Sequence, residues 1–415
     1  MPDAVLKSIL EGRYQAAGNK LLPKVPIKQI VIGSQLADQA HERLPEILER
    51  EVTDIVLVCD RNTFDAMGEA ISKSLSKKYA VRQIVFTDEV IPDQQTVDHI
   101  LQRTAHSQLL VAVGSGTIND LVKYASYLER KPYIVFGTAP SMNGYASANA
   151  SIVVEGHKKT LSAHLPMAIF LDTDVCAKAP KRLIASGVGD SLCRSTAQAD
   201  WLLSHLLLGT EYHAFPFDLL KSCEQQLIEN PKDIKNLCHT LILSGIGMYL
   251  CSGSYPASQG EHLIAHTMEM VYGSRIPKTY HGEEIAVTTL TMVDIQEKIL
   301  AAPPHILPTQ IDETAIMYFF GEKTGNQCIR EYKEKAIDIA RANAINDKIS
   351  KEWDVIKHAV QAVRVPKQTI LDTLQKAGAP TTSEALVWPE AWYQDAVKYA
   401  HFTRNRYTFL DINNQ

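Results

Sequence analysis

The sequence predicts an α/β domain with a parallel sheet, followed by an all-α domain. Up to about residue 175, short runs rich in Val and Ile alternate with helical segments, which is the pattern of a parallel sheet with helices on both faces. From Pro180 to about Arg404 strand signals are missing and helical periodicity continues. A chain of 415 residues is long enough for two domains, which we place at residues 1–178 and 179–415.

The first domain is expected to begin with a helix and an arm. The strands of its sheet are short apolar runs that end in turn residues. We assign these strands to Gln29–Gly33, Asp54–Asp60, Val81–Phe86, Leu109–Val113 and Tyr133–Phe136. The helices predicted between them are Ala37–Arg50, Thr63–Lys77 and Thr96–His106, and a hairpin near the domain edge is predicted from Ser151–Glu155 and Ala168–Leu171.

The second domain is predicted to consist of helices, several of which begin near a proline. Proline suits the first turn of a helix because the N–H that it lacks would have no partner inside the helix there. The predicted helices are Lys181–Leu208, Phe217–Glu229, Lys235–Cys251, Gln259–Tyr272, Glu283–Ile299, Gln327–Ala344, Lys351–Ala362, Pro366–Gly378 and Pro389–Arg404.

Composition argues against several classes of function. The formal net charge of −5, without a long basic run, gives no sign of nucleic-acid binding. The seven cysteines are scattered and form no C-x-x-C pair, which favours reduced thiols in a cytoplasmic protein. No apolar run is long enough to span a bilayer, and the beginning of the sequence has no signal-peptide pattern. We therefore expect a cytoplasmic protein without membrane insertion.

The stretch from Ser258 to Glu284 is rich in potential metal ligands. His262 and His266 are four residues apart, so on a helix they project from one face. His281 opens the sequence HGEE beyond a linker that contains Gly and Pro. Together with Asp190, from ASGVGDSLCR, these residues would form an open site for a divalent metal. The spacing permits either His262 or His266 as a ligand, and three unrelated polar histidines are the alternative.

Two strand ends carry residues suited to a dinucleotide. Asp60 ends the second strand, where an acidic side chain accepts hydrogen bonds from ribose hydroxyls and repels a 2′-phosphate, which favours NAD over NADP. Gly114, Ser115 and Gly116 follow the fourth strand as a tight turn into a helix, and a helix N-terminus favours a pyrophosphate. The pattern differs from the Rossmann fingerprint G-x-G-x-x-G. A solvated aspartate and a structural glycine turn are the alternatives.

Further polar candidates lie close to these strand ends. Asp120 and Lys123 are in the first turns of the helix after G-S-G, near the expected ligand. A loop rich in small and hydroxyl residues follows the fifth strand, and an ordinary polar loop is the alternative. In this loop we assign Thr138 and Ser141 to the nucleotide, Asn143 to the substrate, and Ser147 to either.

Long motifs follow one another along almost the whole chain. They are GSGTINDLVKY, TAPSMNGYAS, GVGDSLCR, YPASQGEHLIAH, HGEEIAVTTL and RNRYTFLDI. Together they resemble the superfamily of dehydroquinate synthase, glycerol dehydrogenase and the iron-containing alcohol dehydrogenases. Within this superfamily, the chain is most similar to the sn-glycerol-1-phosphate dehydrogenase family, including its bacterial metal-dependent members.

The resemblance implies a fold and an activity. It implies an α/β nucleotide-binding domain followed by a helical metal-binding domain. It also implies a metal-dependent, NAD(P)-linked oxidoreductase that reduces dihydroxyacetone phosphate to sn-glycerol 1-phosphate, or catalyses the reverse reaction. Because such relatives often form dimers or larger assemblies, we expect a homo-oligomer that acts on a small, possibly phosphorylated substrate.

The resemblance also implies roles for individual residues. Asp190, His262 and His281 would bind one divalent metal, which can be Zn²⁺, Ni²⁺ or Fe²⁺. Asp120 would lie at the substrate near the nicotinamide, and His266 would lie behind the metal ligands or face the substrate. Proton exchange would run through Asp120 or His266. The substrate-binding candidates are Asp120, Lys123, Asn143, Asp190 and His266.

Some positions depart from the family pattern and leave the substrate open. Asn143 stands in S-M-N-G where the family commonly has S-M-D-G, and Tyr255 stands where many relatives have Arg. Arg194 occupies the place of a further His in iron-type alcohol dehydrogenases, which fits a three-ligand site. The alternatives are a dehydrogenase of another polyol or cyclitol, a cyclase similar to dehydroquinate synthase, and an inactive nucleotide-binding protein. The candidate cations for a substrate phosphate are Lys123, Lys158, Lys159, Arg194 and Arg275.

Overall fold

The computed structural model describes residues 2–17, 20–154 and 157–415, except for the side chains at positions 157 and 158. The chain folds into two units. The first unit combines the residues up to Ser191 with Asp218–Ser252, and the second combines Leu192–Phe217 with Gly253–Gln415. Each unit is therefore built from two separate stretches of the chain.

Among the described residues, every strand lies in the first unit. The strands are β1 (Gln15–Ala16), β2 (Lys20–Leu21), β3 (Gln29–Gly33), β4 (Asp54–Asp60), β5 (Ala80–Phe86), β6 (Leu109–Gly114), β7 (Tyr133–Gly137), β8 (Asn149–Val154), β9 (His157–Ser162) and β10 (Ala168–Asp172).

Helices occur in both units. They are α1 (Pro2–Leu10), α2 (Ala40–Ile47), α3 (Arg61–Thr63), α4 (Glu69–Leu75), α5 (Gln94–Thr104), α6 (Gly116–Leu128), α7 (Thr173–Lys178), α8 (Lys181–Leu192), α9 (Arg194–Leu208), α10 (Phe215–Glu229), α11 (Ile234–Leu250), α12 (Gly260–Tyr272), α13 (His281–Leu300), α14 (Glu313–Phe320), α15 (Glu322–Glu334), α16 (Ile339–Ala362), α17 (Lys367–Ala377), α18 (Glu390–Tyr399) and α19 (Phe409–Asn413). A π-helical turn lies at Phe64–Gly68, and 3₁₀ helices lie at Asn143–Ala146, Glu384–Leu386 and Ala400–Phe402.

A six-stranded sheet forms the centre of the first unit. Its order is β3-β10-β7-β6-β4-β5, and every pair of neighbours is parallel. The inner strands are continuous apolar runs because helices cover both faces of such a sheet. The second unit is helical over its described residues. The predicted fold class, an α/β domain with a parallel sheet followed by a helical region, is confirmed.

The predicted hairpin was wrong in one of its strands. The antiparallel partner of β8 is β9, with Asn149 opposite Ser162. The run Ala168–Leu171 instead belongs to β10, which lies in the main sheet between β3 and β7. Every residue of β10 is buried, as an apolar run inside a covered sheet requires. The sequence of β9, HKKTLS, lacks the apolar content of a strand signal.

Several helix bounds in the second half also differ from prediction. The predicted helix Lys181–Leu208 consists of α8 and α9, which are separated at Cys193. Two further helices were predicted with the wrong bounds, at Gln327–Ala344 and Lys351–Ala362. In the structure this region forms α15 and the single long helix α16. Asp338 explains where α16 begins, because its side chain accepts the N–H of Arg341 at 2.7 Å and caps the helix.

The predicted domain boundary and the folded units mark different properties of the chain. The boundary between residues 178 and 179 marks where strand signals end and helical periodicity takes over. The units follow packing, so α8 up to Ser191 and Asp218–Ser252 are grouped with the sheet. The division at 178 and 179 therefore remains a prediction about sequence character.

Each unit has its own apolar core. On one face of the main sheet, side chains such as Ile55 and Leu57 pack with Leu44 of α2 and Ile71 of α4. The core of the second unit is formed by α9, α12, α13, α16, α18 and α19 together with the segments that connect them. Within the part of the chain that is described, no helix is both long enough and apolar enough to cross a membrane.

Candidate functional site

The strand order of the main sheet reverses between β4 and β6. From β4 the chain continues outward to β5, then returns to β6 on the other side of β4 and proceeds toward β7 and β10. Ligands of open parallel sheets bind at the carboxyl ends of the strands at such a reversal. Val58 pairs with Ala112, so Asp60 and Gly114 lie at neighbouring strand ends. The structure therefore brings the predicted ribose and pyrophosphate residues to the same edge of the sheet.

The two glycines of the G-S-G turn differ in their surroundings. A Cβ atom on Gly114 would lie 2.6 Å from Cβ of Ile118, so packing of α6 against β6 requires glycine there. A Cβ atom on Gly116 would come no closer than 3.4 Å to Met142, which is ordinary contact. Gly116 is the first residue of α6 and Ser115 precedes it without capping the helix through its side chain. The first N–H groups of α6 are therefore in a position suited to an anion.

Asp60 has a structural bond in addition to its predicted role. Its Oδ1 atom accepts hydrogen bonds from the backbone N–H of Thr63 at 2.8 Å and from the hydroxyl of Thr63 at 3.1 Å, which caps α3. The side chain is partly exposed at the end of β4. Because capping uses Oδ1, a carboxylate at this position can also offer its second oxygen to a ligand.

Lys123 holds the loop that follows β7. Its ammonium donates to the carbonyl of Gly144 at 2.7 Å and to that of Asn149 at 2.8 Å, and it lies 3.3 Å from Asp120 Oδ1. The side chain is fully buried. Burial lowers the pKa of Lys123, although the neighbouring carboxylate of Asp120 opposes this shift. The described contacts thus give the ammonium a structural role beside its predicted one at the substrate.

The remaining candidates in this loop are buried and ordered. Thr138 donates its backbone N–H to the carbonyl of Gly114 at 3.1 Å, which ties the loop to the G-S-G turn. The hydroxyl of Ser147 donates within the loop, 3.1 Å from the carbonyl of Gly144. Asp120 accepts the backbone N–H of Ser151 at 2.9 Å. The buried candidates are Thr138, Ser141 and Ser147.

A glycine in α8 lets this helix approach the loop after β7. A Cβ atom on Gly187 would lie 1.8 Å from the carbonyl oxygen of Pro140, which no side chain can satisfy. The helix therefore carries Asp190, one turn further on, toward the loop. The Asp190 carboxylate accepts the backbone N–H of Asn143 at 2.9 Å, and Asn143 also donates its side-chain amide to Ser244 at 3.3 Å. The first glycine of G-V-G-D, Gly187, thus has a packing reason.

The three histidines of the stretch from Ser258 to Glu284 come together. The ring centroids of His262 and His281 are 5.1 Å apart, and those of His262 and His266 are 5.9 Å apart. His266 and His281 are stacked with their centroids 5.8 Å apart. His262 lies in the first turn of α12, and His281 is the first residue of α13. Two helix beginnings therefore position the imidazoles.

Asp190 joins two of these histidines in a group with metal-ligand geometry. One ligand atom each from Asp190, His262 and His281 lies within 4.8 Å of the other two. Asp190 and His262 are buried and His281 is partly exposed. Two imidazoles and one carboxylate suit Zn²⁺, Ni²⁺ or Fe²⁺ and leave coordination positions for substrate and water. His266 is outside this group, although its ring is close to both other rings.

Comparison with known proteins identifies relatives over the whole chain. The profile of the iron-containing alcohol dehydrogenase family matches residues 35–180. Glycerol-1-phosphate dehydrogenase [NAD(P)+] of Bacillus subtilis is 28% identical over 422 residues, which covers 98% of this chain and 95% of the relative. Its counterpart from Geobacillus stearothermophilus is 32% identical over 292 residues, covering 66% of this chain and 71% of the relative. The chain belongs to the glycerol-1-phosphate dehydrogenase family.

Solved structures agree with this assignment at the level of the fold. The crystal structure of glycerol dehydrogenase from Schizosaccharomyces pombe superposes with a TM-score of 0.56 at 18% identity, covering 89% of this chain and 95% of that one. Membership in the glycerol-1-phosphate dehydrogenase family, within the iron-containing alcohol dehydrogenases, makes the protein an NAD(P)-dependent alcohol dehydrogenase with a divalent metal. The predicted family and enzyme class are confirmed.

Two departures from the family pattern have clear contacts. Tyr255 is stacked on Trp201 with ring centroids 5.7 Å apart, and the guanidinium of Arg406 lies 4.4 Å from its ring centre. Arg406 also donates to Ser254 at 2.9 Å, so it fixes the segment that leads into α12. Arg194 donates to Gln198 at 2.7 Å. Both arginines therefore bind protein groups in this glycerol-1-phosphate dehydrogenase homologue.

The candidate cations for a substrate phosphate differ in their surroundings. Arg275 lies over the rings of Tyr272 and Trp392, with its guanidinium 4.9 Å and 4.8 Å from their centres. Lys159 is exposed on β9. The side chain of Lys158 lies outside the described residues. Among the described candidates, Lys123, Arg194 and Arg275 therefore contact protein groups, whereas Lys159 is exposed.

Glu261 and Asp200 are part of the site that sequence reasoning missed. Glu261 is fully buried and its Oε1 atom lies 2.9 Å from His262 Nδ1. Burial acts against ionisation, but the hydrogen bonds from His262 and from backbone N–H groups outweigh it and lower the pKa of Glu261. Burial, together with the charge of Glu261, raises the pKa of Asp200 to about 8. The letters GEH in the sequence were the available signal, since a carboxylate beside a ligand histidine commonly orients it.

Proposed function

We propose that this enzyme reduces dihydroxyacetone phosphate to sn-glycerol 1-phosphate, or catalyses the reverse reaction. It uses NAD(H) in preference to NADP(H) and one divalent metal held by Asp190, His262 and His281. The names of the related enzymes support the substrate, since they are glycerol-1-phosphate dehydrogenases over nearly the full length of the chain.

The hydrogen bond between Asp190 and Asn143 carries this proposal. Asp190 belongs to the group of three metal-ligand side chains, and its carboxylate also accepts the N–H of Asn143 in the loop after β7. That loop is bonded through Thr138 to Gly114 in the G-S-G turn. A chain of contacts within the first unit therefore links the candidate pyrophosphate turn with Asp190, and a hydride transfer beside a metal needs such fixed placement.

The chain's own residues would orient the reactants. When bound, NAD(P) carries the hydride and the metal supplies Lewis acidity toward the substrate oxygen. Asp190, His262 and His281 hold the metal, while the N-terminus of α6 binds the pyrophosphate. Asp120 and His266 remain the candidates for proton exchange and substrate contact. Lys123 and Ser147 keep the loop after β7 in place and so support the contacts of Ser141 and Asn143.

The preference for NAD is proposed from Asp60. A carboxylate at the end of β4 can bind the ribose hydroxyls and repels a 2′-phosphate at the same position. The capping bonds of Asp60 fix the rotamer of its side chain at the place where the strand order of the sheet reverses. The metal is proposed to be Zn²⁺, Ni²⁺ or Fe²⁺, among which this donor set does not discriminate strongly.

An unphosphorylated polyol or cyclitol is the second candidate substrate. It is favoured by the engagement of Lys123, Arg194 and Arg275 with protein groups. A phosphate that enters the site would have to share or replace those partners, which costs free energy. Without a phosphate, no such competition arises.

Oxidation of NADH with each substrate tests the proposal. The protein is stripped of metal, reconstituted separately with Zn²⁺, Ni²⁺ and Fe²⁺, and assayed with dihydroxyacetone phosphate and with dihydroxyacetone. We expect kcat/KM for the phosphate to exceed that for dihydroxyacetone at least tenfold. A reversed ratio supports the polyol, whereas metal-dependent conversion of a substrate without net NADH oxidation supports a cyclase. Binding of NADH and metal without turnover across an alcohol panel supports an inactive protein.

A homo-oligomer and a cytoplasmic location remain predictions.

A further inference from the structure

We propose that Glu261 is a positioning residue that fixes the ring and the tautomer of His262, and thereby leaves Nε2 of that histidine as the metal-binding nitrogen. This inference rests on the metal site proposed above. It goes further because it assigns a role to a residue outside the ligand set. It also predicts properties of the metal-free protein.

The hydrogen bonds of Glu261 determine the tautomer. Oε1 accepts the backbone N–H of Gln259 at 2.7 Å and lies 2.9 Å from Nδ1 of His262. Oε2 accepts from the hydroxyl of Thr196 at 2.9 Å. Since an ionised carboxylate can only accept, Nδ1 of His262 has to carry the proton. Its lone pair is then on Nε2, which is the form of a neutral imidazole that can bind a metal through that atom.

Buried side chains also surround Glu261 and His262. Sγ of Cys193 lies within 4.8 Å of ligand atoms of Glu261 and His262. Cys193 donates to the carbonyl of Ala257 at 3.6 Å and packs with Ala265 and Ile285, and all of these side chains are buried. Buried side chains therefore enclose the Glu261–His262 pair, so the hydrogen bond between Oε1 and Nδ1 is formed in a packed part of the protein.

The beginning of α12 is held by a second carboxylate. Asp200 accepts the N–H of Gly260 at 2.9 Å, and a Cβ atom on Gly260 would lie 2.5 Å from Met292. The amide of Gln296 donates to the carbonyl of Thr196 at 3.0 Å and to Asp200 at 3.3 Å. These bonds connect α9, α12 and α13, so Glu261 is attached to a rigid frame. Such support is what makes a partner of a ligand histidine effective.

Metal affinity and the tautomer of His262 are the measurements that test this role. Glu261→Ala removes the acceptor, and we expect the dissociation constant for Zn²⁺, measured by competition with a chromogenic chelator, to rise roughly 10- to 100-fold. Glu261→Gln keeps the shape and one acceptor oxygen but removes the charge, so the increase should be smaller. In the metal-free wild type, imidazole ¹⁵N shifts should report the Nδ1–H form of His262, and Glu261→Ala should shift the ring toward Nε2–H.

Glu269→Gln is a matched control on the same helix. Glu269 lies 3.8 Å from Nδ1 of His266, beyond hydrogen-bond distance. This variant should bind Zn²⁺ within about twofold of wild type. Thermal unfolding of each metal-free variant shows whether a loss of affinity comes from the missing hydrogen bond or from a failure to fold. If Glu261→Ala does not fold, Glu261→Gln replaces it in the test.

Different failures have different meanings. Wild-type Zn²⁺ affinity in folded Glu261→Ala, or an Nε2–H tautomer in the metal-free wild type, overturns the role of Glu261. Loss of affinity in Cys193→Ala with retained affinity in Glu261→Ala overturns it as well, because the metal would then bind on the Nδ1 side. Unchanged affinity in His262→Ala instead refutes the proposed metal site itself.

Discussion

At the scale of single residues, His281 offers the most direct prediction. It is the first residue of α13 and is partly exposed, so replacing it should disturb the fold little. His281→Ala removes one of three proposed ligands, and we expect metal content and turnover to be lost while NADH still binds. Metal content is measured by mass spectrometry after dialysis, and NADH binding by fluorescence titration.

His266→Ala is the control for this prediction. The ring centroid of His266 lies 5.8 Å from that of His281 and 5.9 Å from that of His262. However, His266 does not belong to the group of ligand atoms formed by Asp190, His262 and His281. We expect this variant to retain the metal and to lose activity only in part. If His266→Ala loses the metal and His281→Ala keeps it, the assignment of ligands is wrong.

The coenzyme preference can be tested at Asp60. Asp60→Asn keeps a good helix cap but removes the charge that repels a 2′-phosphate. We expect the ratio of kcat/KM for NADH to that for NADPH to fall about tenfold, which corresponds to about 1.4 kcal/mol. The thermal unfolding temperature should stay the same because the capping bonds to Thr63 remain possible. An unchanged ratio would show that Asp60 acts only as a cap.

The sequence predicted candidate residues from their recognisable ligand chemistry and missed residues whose role depends on burial. Asp190, His262 and His281 were predicted, and the structure brings their ligand atoms within 4.8 Å of one another. Glu261 was missed because a glutamate on a helix is ordinarily exposed. Its burial depends on Thr196 of α9, which is far away in the sequence. The spacing of His262 and His266 also could not distinguish a ligand from its neighbour.

At the scale of secondary-structure elements, the junction of β6 and α6 gives a paired prediction. Gly114→Ala should destabilise the protein, because its Cβ atom would lie 2.6 Å from Ile118 and strain the packing of the helix, at a cost of about 1–3 kcal/mol. Gly116→Ala meets only ordinary contact with Met142, so the fold should tolerate it.

The two variants should differ in nucleotide binding as well as in stability. A methyl group on Gly116 would occupy the approach to the first N–H groups of α6, so we expect the dissociation constant for NADH to rise at least tenfold. Urea unfolding and NADH fluorescence titration measure the two effects separately. Normal NADH affinity in Gly116→Ala would mean that the pyrophosphate binds elsewhere.

Elements with strong periodicity were predictable, whereas their partners and exact bounds were not. The inner strands and the long helices α12 and α13 were found from apolar patterns. The pairing of β10 with β3 and β7 was missed because its run of apolar residues is equally consistent with a hairpin strand. The start of α16 depends on one capping bond to Asp338, which periodicity does not reveal.

At the scale of the whole molecule, the change of sequence character near residue 180 does not coincide with the division into units. The sequence reveals where strands end, but packing decides which helices accompany the sheet. A helix that is apolar on all sides has to be enclosed, and α11 is of this kind, since the consecutive residues Leu241, Ile242 and Leu243, which point to different sides of the helix, are all buried. The grouping of α11 with the sheet therefore follows from tertiary contacts.

Residues near the C-terminal end of the chain are held in the second unit by a buried ion pair and a hydrogen bond. Lys335 and Asp411 form a buried ion pair with 2.7 Å between Nζ and Oδ1. The backbone N–H of Phe409 donates to Asp200 at 3.1 Å, and Phe409 is fully buried. Removing one partner of a buried ion pair leaves an uncompensated charge, which is strongly destabilising. The motif RNRYTFLDI therefore has a structural role in the core of the second unit.

A buried histidine in this region predicts how the stability of the second unit depends on pH. His401 is 4% exposed, and burial, with the charge of Lys335 as a smaller cause, lowers its pKa to about 3. In the unfolded chain a histidine titrates near pH 6.5. Between these values the unfolded chain binds one proton more, so stability is fully present above about pH 6.5 and is lost as the pH falls toward 3.

His401→Gln should weaken this dependence. We expect the free energy of unfolding of the metal-free wild type to fall by up to about 1.4 kcal/mol per pH unit more steeply than that of the variant between pH 6 and pH 5. All four tryptophans, Trp201, Trp353, Trp388 and Trp392, lie in the second unit, so their fluorescence during urea unfolding reports the unit that contains His401. A chelator keeps metal binding, which is itself pH-dependent, out of the comparison. Parallel pH curves for the two proteins would contradict the neutral, buried state of His401.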